Sequence, residues 1–261
     1  MTQNLNKYRT STSMLDFEDS SILGLITSRN WQDLDPFERI GAAYNFVRNE
    51  IAFGYNIADT IPASRVLRDG YGQCNTKATL LMALLRKLDI PCRLHGFTIS
   101  KSLQRGVVPE LAYKIAPDKI LHSWVDVYFD GRWISLEGFI LDQRVLGALQ
   151  EKFKDRDNLC GYGVGTNCLQ DPGVEWTGEN TYIQETGINC DFGVFDTPDA
   201  FYSNHSQNFG FIPSVLYKIF IRHWMNLRVR RMRAGYVPEI PNGPEAAPKR
   251  DFYVKERHEK A

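Results

Sequence analysis

Cys74 follows the loop formers Asp69, Gly70 and Gly72 and precedes Ala78, Leu81, Met82, Leu85 and Leu88, which recur at helical spacing. This pattern predicts a helix that begins at about Cys74 and stops before Pro91, because the residue before a proline is pushed out of the α region. A thiol in that place feels unpaired backbone N–H groups and the positive end of the helix dipole, which favour the nucleophilic thiolate. Such a nucleophile needs a base to exchange protons with, and the base needs a third group to orient it. His122 and Glu137 have the right types for these two roles.

The elements that would bring the three together can be read from the run Leu121 to Glu137. Two β-rich stretches, HSWVDVYF and RWISLE, flank Asp130-Gly131, the dipeptide that a type I′ turn favours. A hairpin closed by that turn sets Phe129 against Arg132, Trp124 against Glu137 and His122 against Phe139. His122 and Glu137 become diagonal neighbours on one face, about 7–8 Å apart at the backbone and within reach of a glutamate. Val125, Val127, Ile134 and Leu136 occupy the opposite, core face. In a Cys-His-Glu triad, His122 would pair with the Cys74 thiolate and protonate the leaving group, while Glu137 held the imidazole. The Cys74 backbone N–H would help bind the oxyanion. The second oxyanion donor stays open among Gln73, Tyr71 and Asn75, and Trp124 is a further candidate for substrate contact.

The segments GYGQCNTKATLLMALLRKLDIPCR and HSWVDVYFDGRWISLE resemble the two motif blocks of the transglutaminase-like superfamily, over roughly residues 35 to 145. In that family a cysteine at a helix N-terminus is paired with a histidine and an acid on successive strands. Cys74, His122 and Glu137 fall on the nucleophile, base and acid positions, with glutamate where the family most often has aspartate. The resemblance implies an α+β, papain-like fold in which the helix bearing the nucleophile packs on an antiparallel sheet. It implies acyl transfer on an amide or ester of a peptide, protein or small molecule, by hydrolysis or transamidation. The alternative is a catalytically inactive copy of the fold that acts as a peptide- or protein-binding module. No cofactor is implied, and the chain has no EF-hand loop that would call for calcium.

The rest of the chain bounds these expectations. The 261 residues are 43% hydrophobic and carry 31 basic and 31 acidic residues, so nothing in the overall charge points to nucleic acid as a partner. The polar start, MTQNLNKYRTSTSM, lacks the apolar core of a signal peptide and no later stretch reaches membrane-spanning length, which makes the cytoplasm the expected compartment. Five cysteines read as reduced thiols, with Cys92 as a small buried hydrophobe. Cys160, Cys168, Cys190 and His205 could supply four zinc ligands, but their spacing forms no tight knuckle, and no metal is expected.

Residues 1–236 are expected to form a single domain with an N-terminal arm, an irregular C-terminal lobe and a last helix, and residues 237–261 a flexible charged tail. Asp35-Pro36 opens a helix to about Asn49 with Ile40, Ala43, Tyr44 and Val47 inward, and Asp142 to Phe153 forms another. Cys92 to Ile99 is a strand, and Ser100 to Lys119 is a connection long enough to cover a cleft. Residues 154–212 read as irregular. The last helix starts at Pro213 with the apolar stripe Leu216, Ile219, Phe220, His223 or Trp224, and Leu227. It ends in Arg228, Arg230, Arg231 and Arg233, a basic end that reads as a solvated face or as a contact for anionic lipid or an acidic partner. His95 is expected to be structural, and Asp126 to face solvent or substrate.

Overall fold

A computed structural model of the chain describes residues 5–207, 214–241 and 243–247. The N-terminal arm places Met14, Leu15 and Phe17 in the core, and its helix α1 (Ser20–Ser28) adds Ile22 and Ile26. Helix α2 (Pro36–Asn49) begins with a reciprocal cap: Asp35 accepts from Glu38 N, and Glu38 accepts from Asp35 N. Its inward face carries Ile40, Ala43, Tyr44 and Val47, as the spacing predicts. Strand β1 (Ala52–Phe53) pairs in parallel with β2 (Tyr71–Gly72), and α3 (Ala63–Asp69) lies between them in the chain. Gly70 ends α3 at φ 69°, a left-handed conformation that glycine adopts without a Cβ clash.

Helix α4 (Cys74–Lys87) is the centre of the molecule, with every residue from Cys74 to Arg86 buried. A helix apolar on one stripe only could not be enclosed this way unless its polar side chains found partners. Lys77 Nζ donates to the carbonyls of Arg48 and Ile140, and Arg86 donates to those of Thr10, Cys92 and Asp196. Burial lowers the Lys77 pKa to about 7, with the Asp142 carboxylate opposing the shift. The helix stops at Lys87, and Asp89 turns the chain at φ 63° ahead of Pro91.

The main sheet comprises β3 (Cys92–Ser100), β4 (Lys119–Phe129), β5 (Arg132–Leu136) and β8 (Ile188–Phe195), antiparallel throughout in the order β5-β4-β3-β8. Between these strands come α5 (Glu110–Ile115), α6 (Gln143–Lys152) and the small hairpin β6 (Leu159–Gly161) and β7 (Val164–Thr166). Asp130 and Gly131 both have positive φ, 49° and 78°, as a type I′ turn requires, and Phe129 pairs with Arg132. Val125, Val127, Ile134 and Leu136 are fully buried and belong to the same hydrophobic core as α4. The fold is α+β, with the cysteine-bearing helix packed on an antiparallel sheet.

Strand β8 was not legible: INCDFGVF carries asparagine, aspartate and glycine, residues that strands disfavour, and as an edge strand it leaves Phe192 and Val194 exposed. After it, α7 (Pro198–Tyr202) buries Phe201 and Tyr202. The last helix runs without a break through Ser214–Leu216, a π-helical turn Tyr217–Ile221 and Arg222–Arg233. Pro213, its expected start, lies outside the described residues. The expected inward stripe faces solvent, with Leu216, Ile219, Phe220, Trp224 and Leu227 each at least 40% exposed. Met225, Val229 and Met232 face inward in their place.

The expected free tail also needs correction over its first part. Val237, Ile240 and Ala247 are buried, Tyr162 Oη donates to the Pro238 carbonyl (2.6 Å), and Cys160 N donates to the Glu245 carbonyl (3.0 Å). Proline and charge there disguise three apolar anchors and a series of backbone acceptors. Residues 248–261 lie outside the described residues.

Candidate active site

Cys74 is the first residue of α4 and is 8% exposed. The chain enters this helix through Gly72, where a Cβ would stand 2.7 Å from Thr76 Oγ1 and 2.9 Å from Lys77 Cγ, so only glycine lets the first turn fold back so closely. Gln73 is extended, and its backbone N–H donates to Thr76 Oγ1 (3.1 Å). The Gln73 side chain is pinned at both ends. Its Oε1 accepts from Asn56 N (2.8 Å) and its Nε2 donates to Asp59 Oδ1 (2.9 Å). Asn75 ties the helix start to β4: its Nδ2 donates to the Leu121 carbonyl (3.3 Å), and its Oδ1 accepts from Ser123 Oγ (3.1 Å) and lies 3.6 Å from Cys74 Sγ.

His122 projects from β4, and the β4–β5 ladder ends at the pair Val125–Leu136. Beyond it Glu137 N donates to the Thr181 carbonyl instead (2.9 Å), which turns the Glu137 side chain back towards the histidine. His122 Nε2 and Glu137 Oε1 lie 2.7 Å apart, and neither side chain is exposed. The other carboxylate oxygen, Oε2, accepts from Ile183 N and Gln184 N at 2.8 Å each. A buried carboxylate is tolerated only when such donors replace its lost water, and here a ring nitrogen and two amides do so.

His122 Nδ1 has no hydrogen-bond partner at ordinary bonding distance, yet Cys74 is close enough to act on the ring. Burial alone would lower the imidazole pKa. The Cys74 sulfur and the Glu137 carboxylate outweigh burial and raise it to about 10. Neither the Ile183 nor the Gln184 contribution carries a signal in the sequence, because any non-proline residue supplies the same backbone N–H.

Cys74, Gln73 and Asn75 line a cavity of about 310 Å³. Asp59, Leu121, Tyr202, Tyr217 and Ile221 also line it, together with parts of the long Ser100 to Lys119 connection such as Gln104 and Tyr113. Asp59 was not singled out by the sequence. Burial raises its carboxyl pKa while the Gln73 and Asn75 amides hold the shift back.

Tyr71 and Trp124 do not line this cavity. Tyr71 Oη accepts from Arg222 Nη1 (3.3 Å). The Trp124 indole N–H donates to Asp126 Oδ1 (3.0 Å), and its ring packs on Phe97 at 4.0 Å between centroids. Asp126 is buried, accepting also from Ser135 Oγ and Arg93 Nε, so it faces neither solvent nor the cavity. His95 contacts Asp191 (2.9 Å) on the far strand β8. Cys160 donates to Ser102, Cys168 is exposed and His205 stacks on Phe201. Among the described residues no group of three His, Cys, Asp or Glu is arranged to hold a metal ion.

The model of the transglutaminase-like superfamily matches residues 27–138, a span that contains Cys74, His122 and Glu137. The match takes in less than half of the chain. Among solved structures, the chain is similar to one named "putative cysteine protease" from Cytophaga hutchinsonii, at 15% identity and a TM-score of 0.37. That likeness covers 54% of this chain and 44% of the other, so the match spans less than half of the solved protein. No curated protein matches the sequence. Among the described residues no helix is long and apolar enough to cross a membrane.

Proposed function

We propose that this chain transfers acyl groups through a thioester on Cys74. The observation that carries the reading is the buried His122–Glu137 contact at 2.7 Å, with the Cys74 sulfur acting on the same imidazole and raising its pKa. Cys74 Sγ attacks the carbonyl carbon of an amide or ester, and the carbonyl oxygen takes up the electron pair. The Cys74 backbone N–H at the open end of α4 donates to that oxyanion. Gln73 lines the same cavity and its Nε2 has a second N–H beyond the one given to Asp59, which makes it the favoured second donor over Tyr71, which does not line that cavity. The His122 imidazolium then gives its proton to the departing amine or alcohol, leaving the thioester. Water or a second amine attacks the thioester, His122 takes back a proton, and Cys74 is released.

Glu137 keeps the ring oriented with its Nε2–H bound, so that Nδ1 is the nitrogen that exchanges protons. A silent binding module would have no use for a buried imidazolium beside a thiol, since burying charge costs stability. Peptide, protein and small amide or ester substrates all meet this chemistry. Intact-mass analysis of the protein after brief exposure to a panel of amides and esters tests the reading. An acyl adduct that maps to Cys74, appears with wild type and is absent from Cys74→Ala is the expected result. A panel that leaves no Cys74 adduct and no turnover would favour the binding module.

A further inference from the structure

We propose that the outer face of the last helix is a docking surface for an anionic phospholipid membrane. Leu216, Phe220, Trp224 and Leu227 recur every three or four residues and are 40%, 64%, 56% and 48% exposed. Val215 and Ile219, at 62% and 54%, widen the stripe towards the start of the helix. Scattered apolar side chains on a surface are ordinary, but six large ones in a row along one helix form the kind of contiguous patch that marks an interaction site.

The charge of the helix selects the partner. From Ser214 to Arg233 it contains Lys218, Arg222, Arg228, Arg230, Arg231 and Arg233, with no aspartate or glutamate. Three of these are engaged within the fold: Arg222 with Tyr71, Arg228 with the Gly106 and Val108 carbonyls, and Arg233 with Asp142. Arg230 and Arg231 remain exposed beyond the end of the apolar stripe, while Lys218, also exposed, lines the cavity with the inner side of the helix. An exposed apolar stripe with arginines beyond its end fits an anionic bilayer surface, where the side chains enter the acyl boundary and the cations meet phosphate. Trp224 supplies the ring type that favours the headgroup level. A second copy of the chain fits less well, because the facing copy of the helix would offer Arg230 and Arg231 no acidic partner.

The helix would lie in the surface and not cross it, in keeping with its charge. Its inner side is part of the cavity wall: Tyr217, Ile221 and Met225 line the space that contains Cys74. Docking would therefore hold that cavity about one helix diameter, roughly 10 Å, from the lipid. The inference rests on the surface alone and stands whether or not Cys74 forms a thioester.

The test is co-sedimentation of the full chain with vesicles of phosphatidylcholine alone or mixed with phosphatidylserine, at low and high salt. Binding to the mixed vesicles that weakens at least about tenfold on plain vesicles, and again at high salt, is expected. Phe220→Ser/Trp224→Ser and Arg230→Glu/Arg231→Glu should each abolish binding while their circular dichroism and thermal melts stay at wild type, since the changed side chains are exposed. Trp224→Phe should keep binding but lose most of the blue shift in tryptophan emission seen on vesicles. Binding that ignores phosphatidylserine, or that survives both double substitutions, would overturn the proposal. So would a concentration-dependent dimer that Phe220→Ser/Trp224→Ser dissolves, which would assign the face to a second copy.

Discussion

His122 and Glu137 form a fully buried pair, 2.7 Å apart, whose carboxylate is also gripped by the Ile183 and Gln184 amides. The two residues are 15 apart in sequence, and three different stretches of backbone converge on them: β4, the end of β5 and the loop at 181–184. This convergence gives the pair a structural part beside its proposed chemical one, and the consequences for the two proposed reactive residues differ.

Cys74→Ala removes only a small side chain at a helix start. It should abolish acyl transfer, a loss on the order of 10³-fold or more, with a melting temperature close to wild type. His122→Ala should abolish it too, but it strands Glu137 without its ring partner, and a cost of about 3 kcal/mol follows from leaving a buried charge short of a donor. Denaturant titration beside a rate assay checks both. Near wild-type turnover in either variant would remove that residue from the mechanism.

Glu137 accepts from three donors at once, and its length matters for all three. Glu137→Asp should retract the carboxylate by one methylene, release either the ring or the two amides, and lower the rate by at least about tenfold. Glu137→Gln must turn an NH₂ towards a donor whichever way it sits, so both rate and stability should fall, the latter by about 1–3 kcal/mol. Asp126→Asn gives the contrast. It disturbs a buried network with Trp124, Ser135 and Arg93 and should cost stability while kcat stays within a few fold of wild type. Aspartate at 137 matching glutamate in rate would show that the three-donor geometry is not needed.

The site was legible where chemistry coincides with local pattern. Asp130-Gly131 dictates the turn and the turn dictates the register as far as Val125–Leu136; the expected pairs Trp124–Glu137 and His122–Phe139 are not formed, and Thr181, which the hairpin pattern does not reveal, directs Glu137 to His122. Gly72 and the apolar run after Cys74 locate the helix start in the same way. The rest depends on which face meets which neighbour. The last helix is apolar on two sides, and period alone could not tell Met225, Val229 and Met232 from Leu216, Phe220 and Trp224. Asp126 looked exposed because Arg93, which covers it, comes from β3, a strand whose pairing with β4 the hairpin alone does not reveal. Strand β8 and the amides of Ile183 and Gln184 carry no side-chain signature.

The first residues of the expected tail bear on stability. Ile240 and Val237 sit in the main hydrophobic core, and Tyr162, Arg105 and Arg156 donate to the Pro238, Pro241 and Pro244 carbonyls. Ile240→Ala should destabilise by about 2–4 kcal/mol, the range for removing a buried aliphatic side chain. Ending the chain after Gly235 should cost at least as much. Chemical denaturation measures both, and a change below about 0.5 kcal/mol would place these residues outside the folded core.

The pH dependence of stability should contain two opposed contributions from the interior. His122 has a folded pKa raised to about 10 from its ordinary value of about 6.5, so its contribution is full below about 6.5 and is lost as pH rises through about 10. Lys77 runs the other way. Its folded pKa is lowered to about 7 from an ordinary value of about 10.4, so the unfolded chain binds more protons between those limits and stability rises with pH across them. The windows overlap, and wild type should show a nearly level profile from about pH 7 to 10. Lys77→Met, which keeps the volume and removes the titrating group, should uncover a fall in stability over that range. Cys74→Ala in the Lys77→Met background should move the fall to lower pH, because the Cys74 sulfur is the largest contribution raising the His122 pKa. Thermal melts across pH supply the profiles, and NMR titration of the His122 ring in the same variants assigns the midpoint. A His122 midpoint unchanged by Cys74→Ala would mean that the sulfur does not act on the ring, and the proposed ion pair would fail with it.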